Sequence, residues 1–466
     1  MNRRVAVIGA GLAGMAAAVR LALAGQRPIV IETRKRLGGR ATSFVDPRTG
    51  LLLDNCQHIL LGCCTNLIDF YDRLGVLDRI RWDKAVFWTR GGGVIDELRP
   101  RLLPAPLHFA PSLRRMRILG KEDKRAINRA MWRMIRLGSK GRFQWKDRTF
   151  AEFLDASGQP DSLVASFWNT IVISACNLES SRVSAAGAIA VFQQGFLADR
   201  WSSAMGVPLV PLIELYEPVV DLIESAGGEI RLGASATAIA YDGRRVTGVV
   251  TSHGFVEAAA VLAAVPFDRL DQLVGETLRR ADARLHNLDK IDVSPILGVH
   301  LFFDQQVMNL PHLVLVDRET DWLFNKGPVE GGRQHVLAVK SAAADWLALD
   351  EDELVKRTVA DLHHVLPGSR GLAPVAGRVV KEKRATFAPT PQVDQYRPRA
   401  APGYLGIGGG GVENLFLAGD WCDTGWPATM EGAVRSGYAA AAAVTGDEYL
   451  VEDVPPSPLA RMLGLR

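Results

Sequence analysis

The sequence has few cysteines and no long apolar run. It contains five cysteines in 466 residues, and no two of them stand in the C-x-x-C spacing of a redox or metal-binding pair. This odd, scattered set of thiols predicts no disulfide framework and no metal site, and it is typical of a reducing, cytoplasmic compartment. No stretch of about 18 uninterrupted apolar residues occurs, so no membrane-spanning helix is expected. The cysteines are Cys56, Cys63, Cys64, Cys176 and Cys422.

A strong charge of one sign is also missing. The 55 lysines and arginines stand against 51 aspartates and glutamates, for a net charge of +4, so the overall charge indicates no particular class of partner. The start of the chain imitates a secretion signal, because Arg3 and Arg4 precede an apolar stretch that ends near Ala24. We reject this interpretation, since cleavage there would remove the first predicted strand and the glycine-rich loop after it.

What the sequence does contain is a complete strand–helix–strand unit in its first 40 residues. Val5–Ile8 and Pro28–Ile31 are short apolar runs, which are typical of buried strands. Met15–Ala24 is rich in alanine and leucine with no breaker, which is typical of a helix, and Gly25 ends it. The chain is long enough for two or three domains, and this unit predicts that one of them contains a parallel sheet.

The glycines between the first strand and the helix are spaced as G-x-G-x-x-G and fit a dinucleotide. Gly9 allows a tight turn, Gly11 lets the backbone approach a pyrophosphate, and Gly14 lets the helix pack close to the strand. The helix N-terminus then offers free N–H groups to the phosphates. Glu32 ends the second strand, where a carboxylate can accept hydrogen bonds from a ribose diol. Together these features predict dinucleotide binding.

A second glycine pair indicates which dinucleotide to expect. Gly38 and Gly39 with Arg40 suggest another backbone loop against the same pyrophosphate, with a cation nearby, and nicotinamide-binding units do not need this addition. The combination resembles the FAD-dependent family of amine oxidases, protoporphyrinogen oxidase and phytoene desaturases. The resemblance implies FAD as the cofactor and an α/β fold, with a Rossmann-like FAD-binding domain and an inserted α+β substrate domain.

A third stretch near the end of the chain completes the predicted flavin site. Leu415–Ala418 predicts a buried strand, and Gly419–Asp420 a turn whose acid can approach a ribityl hydroxyl. A helix is predicted from Ala428–Thr429, where free N–H groups can hold the anionic end of a reduced flavin. The sequence from Gly419 to Ala433, GDWCDTGWPATMEGA, resembles that of the hydroxysqualene dehydroxylases of hopanoid synthesis more closely than that of the amine oxidases.

A polar island interrupts the apolar stretch Leu51–Leu61, LLLDNCQHILL. Burying such groups is costly unless they are paired or face a cleft. One interpretation is a hydrogen-bonded turn with a satisfied histidine; the other is that Asp54, Gln57 and His58 face the flavin or the substrate. The stretch resembles the D-N-G-Q-H-x-L-L-G segment of the dehydroxylases, with Cys56 in place of the glycine. We hypothesise that Asp54 or His58 supplies or relays a proton.

The segment Leu113–Arg148 is rich in arginine and lysine, with apolar residues between them. Three interpretations are open. A basic amphipathic helix could lie on an anionic membrane, or a solvated basic face could cover an ordinary core. Nucleic acid is not expected as a partner, because no nucleic-acid-binding module is recognisable.

Several segments are assigned from the same patterns and resemblance. Leu212–Ala226 predicts a helix, Asn177 is expected to cap the helix that follows it, and Ala236 to lie near the adenine. The tail after residue 446 is either mobile or a second membrane contact. The predicted FAD domain comprises residues 1–80, 205–268 and 408–446, the substrate and membrane-facing domain residues 81–204 and 269–407, and the tail residues 447–466.

The resemblance implies reductive dehydroxylation of hydroxysqualene to squalene, on a long-chain isoprenoid substrate and at the cytoplasmic face of a membrane. The alternatives are a carotenoid (phytoene-type) desaturase, a flavin amine oxidase, and a non-enzymatic membrane scaffold that retains FAD. No segment indicates the electron donor. The predicted FAD-binding residues are Gly9, Gly11, Leu12, Ala13, Gly14, Glu32, Thr33, Gly38, Gly39, Arg40, Ala236, Gly419, Asp420, Thr429 and Met430.

Overall fold

A computed structural model describes residues 3–329, 332–402 and 411–466, and these residues form twenty strands and fourteen α-helices. The predicted boundary between residues 407 and 408 lies outside the described residues. The strands are β1 (Arg4–Ile8), β2 (Arg27–Glu32), β3 (Ser43–Val45), β4 (Leu52–Asp54), β5 (Leu60–Leu61), β6 (Ile80–Asp83), β7 (Val86–Gly91), β8 (Val94–Leu98), β9 (Met205–Pro208), β10 (Glu229–Leu232), β11 (Ala236–Tyr241), β12 (Val246–Thr251), β13 (Gly254–Glu257), β14 (Ala260–Ala263), β15 (Val293–Phe303), β16 (His312–Leu315), β17 (Trp322–Val329), β18 (Arg333–Lys340), β19 (Ala376–Phe387) and β20 (Leu415–Leu417).

The helices are mostly short, and six of the fourteen lie between β8 and β9 in the sequence. They are α1 (Leu12–Leu23), α2 (Thr65–Arg73), α3 (Ala110–Arg115), α4 (Lys121–Gly141), α5 (Phe150–Asp155), α6 (Asp161–Leu163), α7 (Asn169–Cys176), α8 (Ala185–Val191), α9 (Pro218–Ser225), α10 (Phe267–Leu273), α11 (Glu276–Ala281), α12 (Glu351–Val365), α13 (Met430–Thr445) and α14 (Pro458–Met462). None of the helices in these described ranges combines the length and the apolar content needed to cross a bilayer.

The first sheet is parallel and has the strand order β10-β2-β1-β14-β20. Its strands come from three widely separated parts of the chain, and all four pairings are parallel. Both faces are covered, as parallel sheets require. Val5 and Val7 of β1 pack in the core with α1 and α13, whereas Ala6 and Ile8 face the core beneath the small antiparallel sheet β11-β12-β13.

Two helices, α1 and α13, lie against each other at backbone contact distance on this sheet. A Cβ placed on Gly437 of α13 would lie 2.2 Å from the carbonyl oxygen of Ala13. A Cβ on Gly14 would lie 2.0 Å from the carbonyl oxygen of Gly9, so the expected close packing of the helix on its strand is confirmed. The C-terminal segment is therefore held directly beside the glycine-rich loop.

The second large sheet has seven strands in the order β19-β15-β18-β17-β16-β7-β8. It is antiparallel except where β16 runs parallel to β7. Because side chains alternate along a strand, Leu297 and Val299 of β15 pack in the core with α12, whereas Ile296 and Gly298 project from the opposite face. The predicted class is confirmed: an α/β fold with a parallel sheet and an added substrate domain.

The basic segment folds as α3 and α4, and its apolar residues are used by the core. Ile127, Met134 and Ile135 of α4 are at most 3% exposed and pack against α5 and α8. The prediction of an amphipathic helix is confirmed, but its apolar side faces the protein. This packing favours the solvated basic face over a helix that inserts its apolar stripe into a bilayer.

The tail is packed rather than mobile. Ala460 and Leu465 are buried in the same core as α4, and the N–H of Ser139 donates to the carbonyl oxygen of Arg466 over 2.8 Å. Met462, the last residue of α14, is 81% exposed.

Two local predictions are wrong. The predicted helix Leu212–Ala226 is a short 3₁₀ turn followed by α9, because Pro218 has no N–H to continue a helix and instead occupies its first turn. Asn177 caps the C-terminus of α7 in a left-handed conformation, with φ of 53°, rather than the N-terminus of a following helix. Its side-chain amide donates to the carbonyl oxygen of Ser294, 3.0 Å away on β15.

Candidate active site

A cavity of about 700 Å³ runs from the parallel sheet to the seven-stranded sheet. It begins at the carboxyl ends of the parallel strands, where Ile8, Ile31 and Ala264 line it. This edge is where open α/β sheets bind their ligands. It ends against the face of the second sheet that carries Ile296, Trp322 and Phe324. One cavity therefore joins a nucleotide-binding edge to an apolar wall.

The glycine-rich loop forms the first part of the wall. Gly9 has φ of +98°, and a Cβ there would lie 2.6 Å from the carbonyl oxygen of Ala264, so this turn requires glycine. Gly11 precedes α1 and makes no side-chain cap to it. The first N–H groups of α1, at Leu12 and Ala13, are therefore available to an anion in the cavity that these residues line.

Glu32 closes the nucleotide end of the cavity beside Thr33 and Ala236. One carboxylate oxygen accepts from the N–H of Ala10 and the other from the N–H of Arg34, both over 2.8 Å. Each oxygen retains a further lone pair for a ligand hydroxyl. This geometry fits a carboxylate that binds a ribose diol.

The second glycine pair lies against the first loop. Gly11 and Gly38 form a parallel bridge, and a Cβ on Gly39 would lie 3.0 Å from the Cα of Gly11. The expected second backbone loop is thus in direct contact with the first, and both line the cavity.

Arg40 continues from this loop and ties three parts of the chain together. Its guanidinium lies 2.5 Å from the Asp420 carboxylate and donates to the carbonyl oxygen of Ala385 over 2.8 Å. Burial lowers the pKa of Arg40, but the carboxylates of Asp420, Glu382 and Asp268 more than offset this, so the net shift is upward. The side chain is a permanent cation on the cavity wall.

The C-terminal segment supplies the opposite wall. Thr429 is the N-cap of α13 and its hydroxyl accepts from the N–H of Gly432 over 3.0 Å. Met430 begins the helix and lines the cavity together with Gly419. The next residue, Glu431, is fully buried and accepts from the N–H of Leu67 at the start of α2 over 2.7 Å. The helix α13 is thereby fixed to the N-terminal segment.

Asp54 lies outside the cavity lining. It is 7% exposed, and its carboxylate accepts from the hydroxyl of Ser43 over 2.8 Å, from the N–H of Leu212 over 3.0 Å and from Nζ of Lys326 over 3.1 Å. Lys326 also donates to the side-chain oxygen of Gln57 over 3.2 Å. Asp54 and Lys326 therefore anchor the loop 55–59 from behind, while Gln57 faces the cavity.

His58 lines the cavity. Its Nδ1 lies 3.0 Å from the carbonyl oxygen of Cys56, and because a carbonyl can only accept, Nδ1 carries the proton. Burial lowers the pKa of His58 below its ordinary value of 6.5, opposed by the bond to Cys56 and the nearby Asp54 carboxylate, with Lys326 and Arg40 lowering it further. At neutral pH the ring is uncharged, and Nε2 is the nitrogen that can exchange a proton.

Cys56 occupies the position where the resemblance leads one to expect glycine. It is not among the residues with positive φ, so this turn does not need glycine. Its side chain packs with Phe324 and Val339, above Gly298, where a Cβ would lie 3.6 Å from the Cα of Cys56. Burial raises the pKa of this thiol to about 12, so Cys56 is a packing residue and not a nucleophile.

The far end of the cavity is apolar. Trp322 and Phe324 of β17 stack with ring centroids 5.4 Å apart, and Ile59, Ile296 and Val339 lie around them on the cavity wall. Sequence reasoning missed these residues individually. The alternation of Trp322 and Phe324 along β17 was a usable signal, but it does not reveal which face of the sheet lines the cavity.

The structure brings together all but two of the predicted site residues. Gly14 serves the helix packing beneath the loop, and Asp54 lies behind the cavity wall. The predicted residues that line the cavity are Gly9, Gly11, Leu12, Ala13, Glu32, Thr33, Gly38, Gly39, Arg40, His58, Ala236, Gly419, Asp420, Thr429 and Met430.

These residues fit a dinucleotide whose far end carries a flavin. A Cβ on Gly11 would meet only the Cα of Gly39 at 4.0 Å, so it would project into the cavity where a pyrophosphate would lie. The fold and site thus define a flavin-dependent oxidoreductase. The chain belongs to the flavin containing amine oxidoreductase family, whose model matches residues 12–445, and its cofactor is FAD.

Individual relatives extend over almost the whole chain. A 15-cis-phytoene desaturase from Synechococcus elongatus is 24% identical, and the match covers 95% of both chains. A hydroxysqualene dehydroxylase from Zymomonas mobilis is 26% identical over 93% of this chain and 97% of that protein. A solved oxidoreductase from Methanosarcina mazei has the same fold, with a TM-score of 0.69 at 16% identity over 95% of this chain and 100% of that one.

The fit at Gly11 leads to a prediction. We expect Gly11→Ala to weaken FAD binding by at least about tenfold, because the methyl group enters the space where the pyrophosphate approaches the backbone. The thermal midpoint of the apoprotein should change little, since the φ of −74° at Gly11 suits alanine. FAD affinity is measured by fluorescence quenching on reconstitution of the apoprotein.

A matched control for this variant is Gly275→Ala. Gly275 also precedes a helix, with φ of −71°, and no atom lies within 4 Å of its added Cβ. Equal FAD affinities for the two variants would contradict the placement of the pyrophosphate.

Proposed function

We propose that this protein removes the hydroxyl group of hydroxysqualene reductively and releases squalene. The observation that carries the proposal is the position of loop 55–59 between the nucleotide-binding wall and the apolar wall formed by Ile296, Trp322 and Phe324. This loop and the segment Gly419–Ala433 are the two stretches that resemble the hydroxysqualene dehydroxylases. An apolar wall suits an isoprenoid chain better than the charged substrate of an amine oxidase.

Bound FAD, once reduced, supplies the hydride. The role of the protein is to hold the substrate and to exclude water. The apolar wall binds the isoprenoid chain, and loop 55–59 places His58 beside its polar end. His58 relays a proton through Nε2 to the departing hydroxyl, which leaves as water. Asp54 is a positioning residue, since it anchors the loop that carries His58, and its charge also opposes the lowering of the His58 pKa.

A desaturase that takes hydride from a polyene is the second candidate. The 15-cis-phytoene desaturases at 24–26% identity over 95–98% of this chain favour it, and the same cavity would suit either substrate. The two reactions move hydride in opposite directions, so the flavin must be reduced for one and oxidised for the other.

The corresponding prediction is that photoreduced holoenzyme, kept anaerobic with hydroxysqualene, forms squalene with one flavin reoxidised per molecule. Mass spectrometry identifies the product and the flavin absorbance gives the stoichiometry. Oxidised holoenzyme with phytoene is the comparison. If phytoene is desaturated and no squalene is formed from hydroxysqualene, the protein is a desaturase and the proposal is wrong.

His58 gives a second prediction, on pH. Because burial lowers its pKa, the imidazolium that donates the proton becomes more abundant as the pH falls toward that pKa. The single-turnover rate of wild type should therefore rise from about pH 8 to about pH 5.5. We expect His58→Gln to lose this rise and about 10²-fold in rate while retaining FAD.

The control for His58 is His253→Gln, which changes an exposed histidine in the turn between β12 and β13. Asp54→Ala should also slow turnover, through disorder of the loop. If both His58→Gln and Asp54→Ala turn over at the wild-type rate at every pH, neither residue takes part in proton transfer.

We also propose that the protein docks on the cytoplasmic face of a membrane to reach its lipid substrate. The loop between β8 and α3 exposes Leu102 at 93% and Leu103 and Leu107 at 42% each. Arg114 and Arg115 are exposed directly after it on α3. Leucines flanked by arginines suit a surface of anionic headgroups over acyl chains.

For this surface, we expect the double substitution Leu102→Asp and Leu103→Asp to reduce binding to phosphatidylglycerol vesicles at least about tenfold, because it removes two apolar anchors. Binding is measured by vesicle flotation, with phosphatidylcholine vesicles for comparison. Leu23→Asp is the control, since Leu23 is 54% exposed at the end of α1. Unchanged flotation of the double variant would exclude this loop as the contact.

A further inference from the structure

One carboxylate on the cavity wall has no part in the chemistry described so far. Among the described residues, the carboxylates that line the cavity are those of Glu32, Asp420 and Glu382. Glu32 is bound to two backbone N–H groups at the nucleotide end, and Asp420 is paired with Arg40. Within the described ranges, Glu382 accepts only from the side-chain amide of Asn55, over 3.3 Å, and from the N–H of Arg384, over 3.5 Å.

An irregularity in β19 directs Glu382 into the cavity. Ser294 and Ile296 of β15 pair with Thr386 and Glu382 of β19. On β15, the single residue Pro295 lies between Ser294 and Ile296. On β19, three residues lie between Glu382 and Thr386, so Pro295 opposes all three. Proline cannot donate to the ladder, and bulges of this kind occur next to active sites, where they redirect a side chain. The three bulged residues are Lys383, Arg384 and Ala385.

The bulge also fixes Glu382 between the two walls of the cavity. The carbonyl oxygen of Ala385 accepts from Arg40 over 2.8 Å. Asn55, which holds the Glu382 carboxylate, donates from the same amide nitrogen to the carbonyl oxygen of Arg40 over 3.0 Å. Glu382 therefore stands beside the flavin-side loop at one edge of the apolar wall.

We propose that Glu382 is a catalytic residue that stabilises positive charge on the substrate as its C–O bond breaks. This inference rests on the proposed function. In that reaction the bonding electron pair leaves with the oxygen, which takes a proton and departs as water. The allylic carbon becomes cationic until hydride from reduced FAD forms the new C–H bond. A fixed carboxylate beside apolar walls favours this cation far more than it would in water.

The neighbouring cation does not cancel this effect. The charge of Arg40 is balanced by the Asp420 carboxylate at 2.5 Å. The aromatic rings of Trp322 and Phe324 add to the stabilisation, because their faces attract cations. The cavity lining therefore holds both kinds of group that stabilise a carbocation, a carboxylate and aromatic rings, together with His58.

The test compares Glu382→Gln with wild type in anaerobic single turnover of photoreduced holoenzyme and hydroxysqualene. Glutamine keeps the shape and the bond from Asn55 but removes the charge. We expect the rate to fall about 10²-fold, with FAD content and squalene binding unchanged. Glu257→Gln, at an exposed position on β13, is the matched control and should react like wild type. A Glu382→Gln rate within twofold of wild type would overturn the proposal.

A binding measurement separates this proposal from the reaction itself. A squalene analogue with a tertiary ammonium in place of the carbinol carbon imitates the cation, and its affinity is compared with that of squalene by perturbation of the oxidised flavin spectrum. The ratio of the affinity for the ammonium analogue to the affinity for squalene should be at least tenfold higher in wild type than in Glu382→Gln. An equal preference in the two proteins would overturn the role of Glu382, even if hydroxysqualene is converted.

Failure of the proposed function has a different signature. If wild type forms no squalene but its ammonium preference depends on Glu382, the reaction assignment fails and the cation site stands. If Glu382→Gln does not retain FAD, Glu382→Asp, which keeps the charge, replaces it in the binding measurement. Loss of the ammonium preference in Glu382→Asp that still binds squalene would count against the proposal.

Discussion

The structure depends on the contact between α1 and α13. These helices come from opposite ends of the chain and touch backbone to backbone, because Gly437 leaves no side chain between α13 and the carbonyl oxygen of Ala13. Any larger residue would move α13 away from the sheet, since backbone atoms cannot shift as a flexible side chain can. This contact places the start of α13 opposite the glycine-rich loop, and the two helix termini then line one cavity.

Buried polar groups hold this arrangement in register. Glu431 accepts hydrogen bonds from the N–H of Leu67 and from the side chain of Asn66, so a carboxylate of α13 caps α2 from the N-terminal segment. Hydrogen bonds to a charged group are each worth about 1.5–3 kcal/mol. Burial raises the pKa of Glu431, and these donors oppose that shift. The ion pair of Arg40 and Asp420 also joins the N-terminal segment to the C-terminal segment, across the cavity. These two segments are therefore held together at two points by ionic groups as well as by apolar packing.

The cavity changes character along its length, and this division explains its chemistry. Its first part offers N–H groups, the Glu32 carboxylate and a cation, which suit phosphates and sugars. Its second part offers aromatic and aliphatic side chains from three strands, Ile296 of β15, Trp322 and Phe324 of β17 and Val339 of β18, which suit a long apolar chain. Loop 55–59 lies where the two parts meet. It is anchored from behind by Asp54 and Lys326, so it presents Gln57 and His58 to the cavity without exposing the ion pair that holds them.

The sequence by itself determined the FAD-binding unit, because that unit is local: an apolar strand, a glycine turn, a helix and a second strand follow one another in about 30 residues, and each glycine has a steric reason visible in the motif. It also indicated which polar loop lines the cavity. It could not place Glu382 or Trp322 in the site, and it put Asp54 on the wrong side of the loop. Glu382 lies 327 residues from its partner Asn55 and reaches the cavity through a bulge that no local pattern predicts. Only the packing of one sheet against the other decides which face of an alternating strand becomes the wall of the site.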